Sequence, residues 1–228
     1  VAQGEARRDL YKILRQAGPA SRSVALGVVL EALADPEPEI AELAKELLAT
    51  YGQAQVNDKP VLLEKLRHNH PDVRQRALTL LVPLCSEAEQ AKIWVEMLRD
   101  SNLEIRRQAV QNTLKHPLLQ SQLEQLVPPL LKDTDLSIRQ MAVRCLQQRP
   151  QLARSLLIEL IARYQGMTED DPELAQEVAL LLARVVPPET QHLILLREML
   201  QHAYGPVRRE AALRLKEMKT DASEAIPD

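Results

Sequence analysis

Six times along the chain an aliphatic residue is followed four places later by a small one. The pairs are Ile40 and Ala44, Val73 and Ala77, Ile105 and Ala109, Ile138 and Ala142, Leu174 and Val178, and Val207 and Ala211. The anchors stand 33, 32, 33, 36 and 33 residues apart. Each lies in a stretch of the same grammar, such as HNHPDVRQRALTLL from His68 or DTDLSIRQMAVRCL from Asp133. Self-similarity at such a period marks a repeat architecture. One unit cannot bury its apolar faces alone, whereas stacked neighbours can.

Within each unit the spacing predicts two helices. First helices are expected near 22–34, 59–68, 87–99, 118–132, 151–164 and 189–201, and second helices near 38–50, 71–84, 103–115, 136–148, 172–185 and 206–218. Three residues before their anchors, Asn102, Asp135 and Asp171 are suited to cap the second helix. Pro38, Pro71 and Pro172 follow that position in their units, in the first turn where no amide hydrogen is needed. A further helix near 5–17, carrying Leu10, Ile13 and Leu14, is expected to cover the N-terminal edge or to be half of a preceding repeat. The expected organisation is therefore residues 1–21 as an N-terminal cap or partial repeat, 22–219 as the repeat array, and 220–228 as a disordered tail poor in apolar residues.

Composition agrees with an all-α fold. There is no Phe, only 6 Gly, and the aromatic content is Trp94 with four Tyr. Leu, Ala, Gln, Glu and Arg, all good helix formers, fill the chain instead. The formal charge of -3 and the scarcity of aromatic residues argue against nucleic acid as partner. No apolar run reaches the ~18 residues of a membrane span. The expected location is the cytoplasm. The chain starts at Val1 without an initiator Met, so it is also read as a potential piece of something longer.

The aliphatic–Arg pairs Val73-Arg74, Ile105-Arg106, Ile138-Arg139 and Val207-Arg208, with Asp35, Asp100 and Asp133 five places before their anchors, resemble the HEAT repeat. The short period is similar to the bacterial subclass that includes the phycobilin-lyase HEAT-like repeats. Pro128-Pro129 fits the kinked first helix of that family. The resemblance covers about residues 22–218 and implies an α-α superhelix, a solenoid of about six helical hairpins. It also implies that Arg74, Arg106, Arg139 and Arg208 tie neighbouring units through an Asp or backbone groups, rather than forming a ladder for phosphate. Two units depart from the pattern, with Ala41 and Ala175 in place of Arg, and the fifth has about three extra residues around Gly166 to Asp171.

No motif carries chemistry. Cys85 and Cys145 are read as small buried thiols on apolar stripes. His68-x-His70 beside Asp72 is read as a polar loop rather than a zinc site. Glu169-Asp170-Asp171 is read as a cap with solvated acids, because it lacks the spacing and Gly of a calcium loop. Trp94 is expected in the core. No cofactor or metal is expected. The expected function is a non-catalytic scaffold holding a protein partner on the concave face lined by second helices. Helical geometry points Gln75, Arg107, Gln111, Gln140, Arg144, Gln176 and Arg209 away from the packed stripe, which makes them the candidate contacts. Reversing Arg107 and Arg144 is expected to weaken partner capture with little change in unfolding. The alternative is a bilin-lyase-like subunit, whose tetrapyrrole propionates would meet the same arginines.

Overall fold

The computed structural model describes residues 2–166 and 172–224. These residues form helices and turns, with no strand among them. The chain divides into two compact units, Val1–Arg106 and Arg107–Asp228. The first holds α1 (Ala2–Ala17), α2 (Arg22–Glu31), α3 (Pro38–Tyr51), α4 (Lys59–Lys65), α5 (Pro71–Leu81), α6 (Glu87–Met97) and the start of α7 (Leu103–Lys115). The second holds the rest of α7, then α8 (Leu123–Leu130), α9 (Leu136–Gln147), α10 (Pro150–Ser155), α11 (Leu157–Gln165), α12 (Pro172–Val185), α13 (Leu193–Met199) and α14 (Gly205–Glu224).

The repeated residues form the centre of the packing. All six anchors and all six partners four places on are at most 1% exposed. Truncating such a residue, for example Ile105→Ala, carries the usual core cost of about 2–5 kcal/mol. In the first unit α2 packs on α3, α4 and α5. In the second, α12 packs on α9, α11 and α14. Trp94 is buried on α6. Among the described residues no helix is long and apolar enough to cross a membrane.

The capping signals work where the side chain is short. Asn102 accepts the amides of Glu104 at 3.0 Å and Ile105 at 3.2 Å, and Asp135 accepts that of Ile138 at 3.2 Å. Asp171 lies outside the described residues, as does the Glu169-Asp170-Asp171 run. Ser86 and Glu89 form a reciprocal capping box on α6, which supplies two amide hydrogens with acceptors.

Several elements differ from expectation. The first helix of the fifth repeat is two helices, α10 and α11, broken at Leu156, whose ψ is 27°. Just before the break the Ser155 hydroxyl donates back to the Leu152 carbonyl at 3.0 Å, a side-chain bond that competes with the helix ladder and bends it. In the fourth repeat a 3₁₀ turn at Pro117–Gln122 precedes a short α8, which carries Pro128 and Pro129 inside it. Cys85 is buried in the extended corner after the 3₁₀ turn Val82–Leu84, not on a helical stripe, while Cys145 is on α9 as expected. Helix α14 runs on to Glu224, into the stretch expected to be disordered. Extending an existing helix fixes one residue per hydrogen bond, so it needs little apolar content.

Helix α1 starts earlier and turns a different face inward than expected. Tyr11 is buried against the neighbouring elements, and Leu10 and Ile13 stand exposed. Arg7, Tyr11 and Arg15 share one helical face at four-residue spacing. Arg7 pairs with Asp35 at 2.7 Å and Arg15 with Glu46 at 2.7 Å, so two ion pairs on the side of Tyr11 set the rotation of α1 on α3.

Candidate functional site

The recurrent arginine that follows the anchor is a turn-closing residue. Arg74 donates to the carbonyls of His68 and Asn69, both at 2.8 Å, and Arg106 to those of Asp100 and Ser101 at 2.9 and 3.2 Å. Arg139 reaches Asp133 and Thr134 at 2.8 and 2.9 Å, and Arg208 reaches His202 and Ala203, both at 2.7 Å. In every case the guanidinium folds back over the turn between first and second helix and gives two of the turn's carbonyls a donor. Arg74 also joins the next repeat, through Nε and Nη2 to the Asp100 carboxylate at 2.8 and 2.6 Å and through Nη2 to Ser101 Oγ at 3.1 Å. These hydrogen bonds to Asp100 raise the Arg74 pKa above its ordinary value.

The turn itself repeats in two chemistries. Asp35, Asp100 and Asp133 each accept the amide two residues on, at 2.9, 2.7 and 2.8 Å. At the same place in their repeats His68 and His202 do this with Nδ1, both at 3.0 Å. His68 thus closes a turn, and His70 Nδ1 stands 3.9 Å from Asp72.

The outward faces of the second helices are less uniform than expected. Arg107 is tied within the second unit, through Nη2 to Asp135 Oδ2 at 3.1 Å and through Nε to Ser137 Oγ at 2.7 Å. Ser137 foremost, and Arg107 with the Ile138 amide, hold the Asp135 carboxyl below its ordinary pKa. These bonds argue against reversing Arg107 without cost to folding, because it clasps the cap of α9. Gln75 and Gln140 are half-buried, whereas Gln111, Arg144, Gln176 and Arg209 are exposed.

Grooves open between consecutive second helices. One of about 510 Å³ lies between α3 and α5, lined among others by Leu48, Gly52, Arg76, Thr79 and Leu80. Another, of about 440 Å³, lies between α7 and α9, and a third, of about 160 Å³, between α9 and α12 with α10. All three use the positions six, seven, ten and eleven places after an anchor. These are Thr79, Leu80, Pro83 and Leu84 in the first. They are Arg144, Cys145, Gln148 and Arg149 in the second, and Leu180, Leu181, Arg184 and Val185 in the third. One register thus recurs in three grooves, one in the first unit and two in the second.

Of the expected contacts, Gln111 and Arg144 line the α7–α9 groove together. Gln75, Arg107, Gln140, Gln176 and Arg209, each two places after an anchor, line none of the three. Lys115, Gln148 and Arg149 are the lining residues that sequence reasoning missed. A single helix defines which side chains point outward, but a groove is made by two helices, here by residues toward their C-terminal ends. The turn after α3 shapes the end of the first groove. Gly52 leaves the helix at φ 68°, a conformation that glycine adopts without strain. Arg22, paired with the buried Asp58, holds the carbonyls of Tyr51 and Gln53 on either side, at 3.3 and 2.6 Å.

The grooves hold no reactive nucleophile. Burial pushes the Cys145 thiol above its ordinary pKa, against a smaller opposing effect of Arg149, so the thiol stays protonated at neutral pH. What this surface offers is shape, amide groups and positive charge. No family model and no curated protein matches the chain.

Proposed function

We propose that this chain is a non-catalytic interaction scaffold, a HEAT-type α-solenoid that holds a protein partner along the face made by its second helices. The observation that carries this reading is the recurrence of one groove register in three places, at positions six, seven, ten and eleven after the anchors. A surface that repeats with the fold suits a partner whose own chain runs across several helices. The arginines after the anchors support it from the other side, because each directs Nη1 at two turn carbonyls and Arg74 also grips Asp100, which gives them a structural task.

The test is a photo-crosslinking amino acid placed singly at Thr79, Gln148 or Arg184, on the grooves, and at Lys92, Gln151 or Ile158, exposed on first helices. Discrete adducts from the groove positions alone are expected in native extract. Adducts confined to the first-helix positions would remove the proposal. The solenoid is tested by X-ray scattering. A radius of gyration well above the ~17 Å of a compact domain of this length is expected, and a value at that limit would contradict the extended stack.

A further inference from the structure

The three grooves share a register but differ in charge. Between α3 and α5 the one cation is Arg76, among apolar and small residues. Between α7 and α9 there are three, Lys115, Arg144 and Arg149, with Gln111 and Gln148 beside them and no acid in the lining. The floor is Leu114, Met141 and Cys145.

The three cations are held differently. Arg149 is fixed, with Nη2 donating to the Leu114 carbonyl and to Gln120 Oε1, both at 3.2 Å, and Nη1 to the Cys145 carbonyl at 3.4 Å. Lys115 and Arg144 are exposed, and neither makes an ion pair among the described residues. Elsewhere in this unit arginines are spent on structure, Arg107 on Asp135 and Arg139 on a turn. One pre-set guanidinium and two cations still open to a partner, over an apolar floor, match a carboxylate-bearing segment, for which hydrogen bonds between ionised groups are the strong ones.

The other side of α9 adds a second element of recognition. The smaller α9–α12 groove is lined by Pro150, Leu180, Leu181 and Val185, with Arg154 and Arg184. Packed helices stand about 8–10 Å apart, so a segment that crosses α9 reaches the second groove after about three residues at the ~3.1 Å rise of a polyproline II chain.

We infer that the α7–α9 groove is a site for an acidic segment of a protein partner, which lies extended across α9 with a Glu or Asp against Lys115, Arg144 and Arg149. An aliphatic side chain three places away along the segment enters the α9–α12 groove. This rests on the second-helix reading above and specifies its partner.

The probe is a fluorescein-labelled peptide with the core Asp-Glu-Pro-Pro-Leu, read by anisotropy with the whole chain. Saturable binding is expected, falling as salt rises. Replacing the acids by their amides, or Arg144→Glu in the protein, is expected to weaken it about tenfold or more, and replacing Leu by Ser is expected to weaken it less. Lys115→Glu acts in the same direction as Arg144→Glu, and Lys92→Glu, exposed on α6 and outside all three grooves, leaves binding unchanged. Circular dichroism melts of the variants should match the parent, since neither Lys115 nor Arg144 is tied to another side chain.

Equal binding of the acidic and amide peptides overturns the proposal. So does tighter binding of a single-stranded uridine oligomer that Arg144→Glu abolishes, which would make the groove a nucleic-acid site. A visible shift of a linear tetrapyrrole that the same substitution removes, with no peptide binding, assigns the groove to a pigment instead. If no peptide binds while groove-position crosslinks persist, the acidic-segment assignment falls and the scaffold reading stands; crosslinks from first helices alone remove both.

Discussion

The turn before α7 and the turn before α5 have the same shape and different attachments. At Asp100 the carboxylate accepts the Asn102 amide at 2.7 Å and also receives Arg74 from the preceding second helix, at 2.6 and 2.8 Å. At His68 the imidazole accepts the His70 amide at 3.0 Å, and the residue at the register of Arg74, one repeat earlier, is Ala41. The second unit repeats the substitution, with His202 closing its turn and Ala175 one repeat before it. Asp does two jobs, holding the turn and gripping the neighbour, whereas His does only the first. A carboxylate as buried as Asp100, whose side chain is 5% exposed, is costly without its cation. Where the Arg is absent, a neutral acceptor is the cheaper way to keep the turn. The two changes therefore occur together.

The largest expected effect breaks the Asp type. Arg74→Ala leaves Asp100 buried without its cation and two turn carbonyls without donors, and should cost about 3–5 kcal/mol in urea unfolding. Adding Asp100→His to that variant should restore much of the loss, because it converts the turn to the His type. No recovery in the double variant would contradict the account of the two turns.

Arg107→Glu should come next, at about 2 kcal/mol from lost charge-assisted bonds to Asp135 and Ser137, seen as an earlier thermal transition. A melt unchanged by this substitution would return Arg107 to the free surface. The reverse conversion is gentler. Ala41→Arg combined with His68→Asp should show a favourable coupling of about 1 kcal/mol in a double-mutant cycle, and zero coupling would mean the register alone does not make the clamp.

The smallest effect concerns an exposed tie on the first-helix side, where Lys59 grips both oxygens of Glu89 at 2.8 and 2.9 Å. That contact, with the Ser86 amide and hydroxyl, holds the Glu89 carboxyl at about 2 against an ordinary 4.5. A depressed carboxylate contributes stability above its unfolded value and loses it as the pH falls from about 4.5 toward 2, so the effect belongs to acid alone. Carboxyl NMR should follow this titration directly, and Lys59→Met should move it back toward the ordinary value. Being exposed to solvent, the pair should alter the unfolding midpoint far less than Arg74→Ala.

The second helices and the caps at Asn102 and Asp135 were legible because the anchor, the small residue and the cap recur at fixed offsets, and burial follows that spacing directly. The double role of Arg74 was legible only through resemblance, since nothing in the spacing shows which carbonyls or which acid it meets. The partner of Arg107 was hidden for a related reason. Two places after an anchor a side chain points away from its own helix, and only the position of Asp135 on the next one reveals that it has a partner. The α10–α11 break escaped notice because Ser155 is unremarkable in sequence until its hydroxyl turns back on Leu152. Of the α7–α9 groove, Gln111 and Arg144 were found by their outward positions; Lys115 and Arg149 come from helix ends, where the apolar period no longer says which way a residue faces.

An arginine that grips both carbonyls of its own turn also measures that turn. From Arg74 the two oxygens lie six and five residues back, and the same holds from Arg106, Arg139 and Arg208. Any added residue there would pull the oxygens out of reach, so these hairpins resist lengthening. Ala175 exerts no such grip, and its repeat is the one with the interval of 36. New sequence, whether acquired by drift or grafted by design, has its natural port of entry ahead of an alanine.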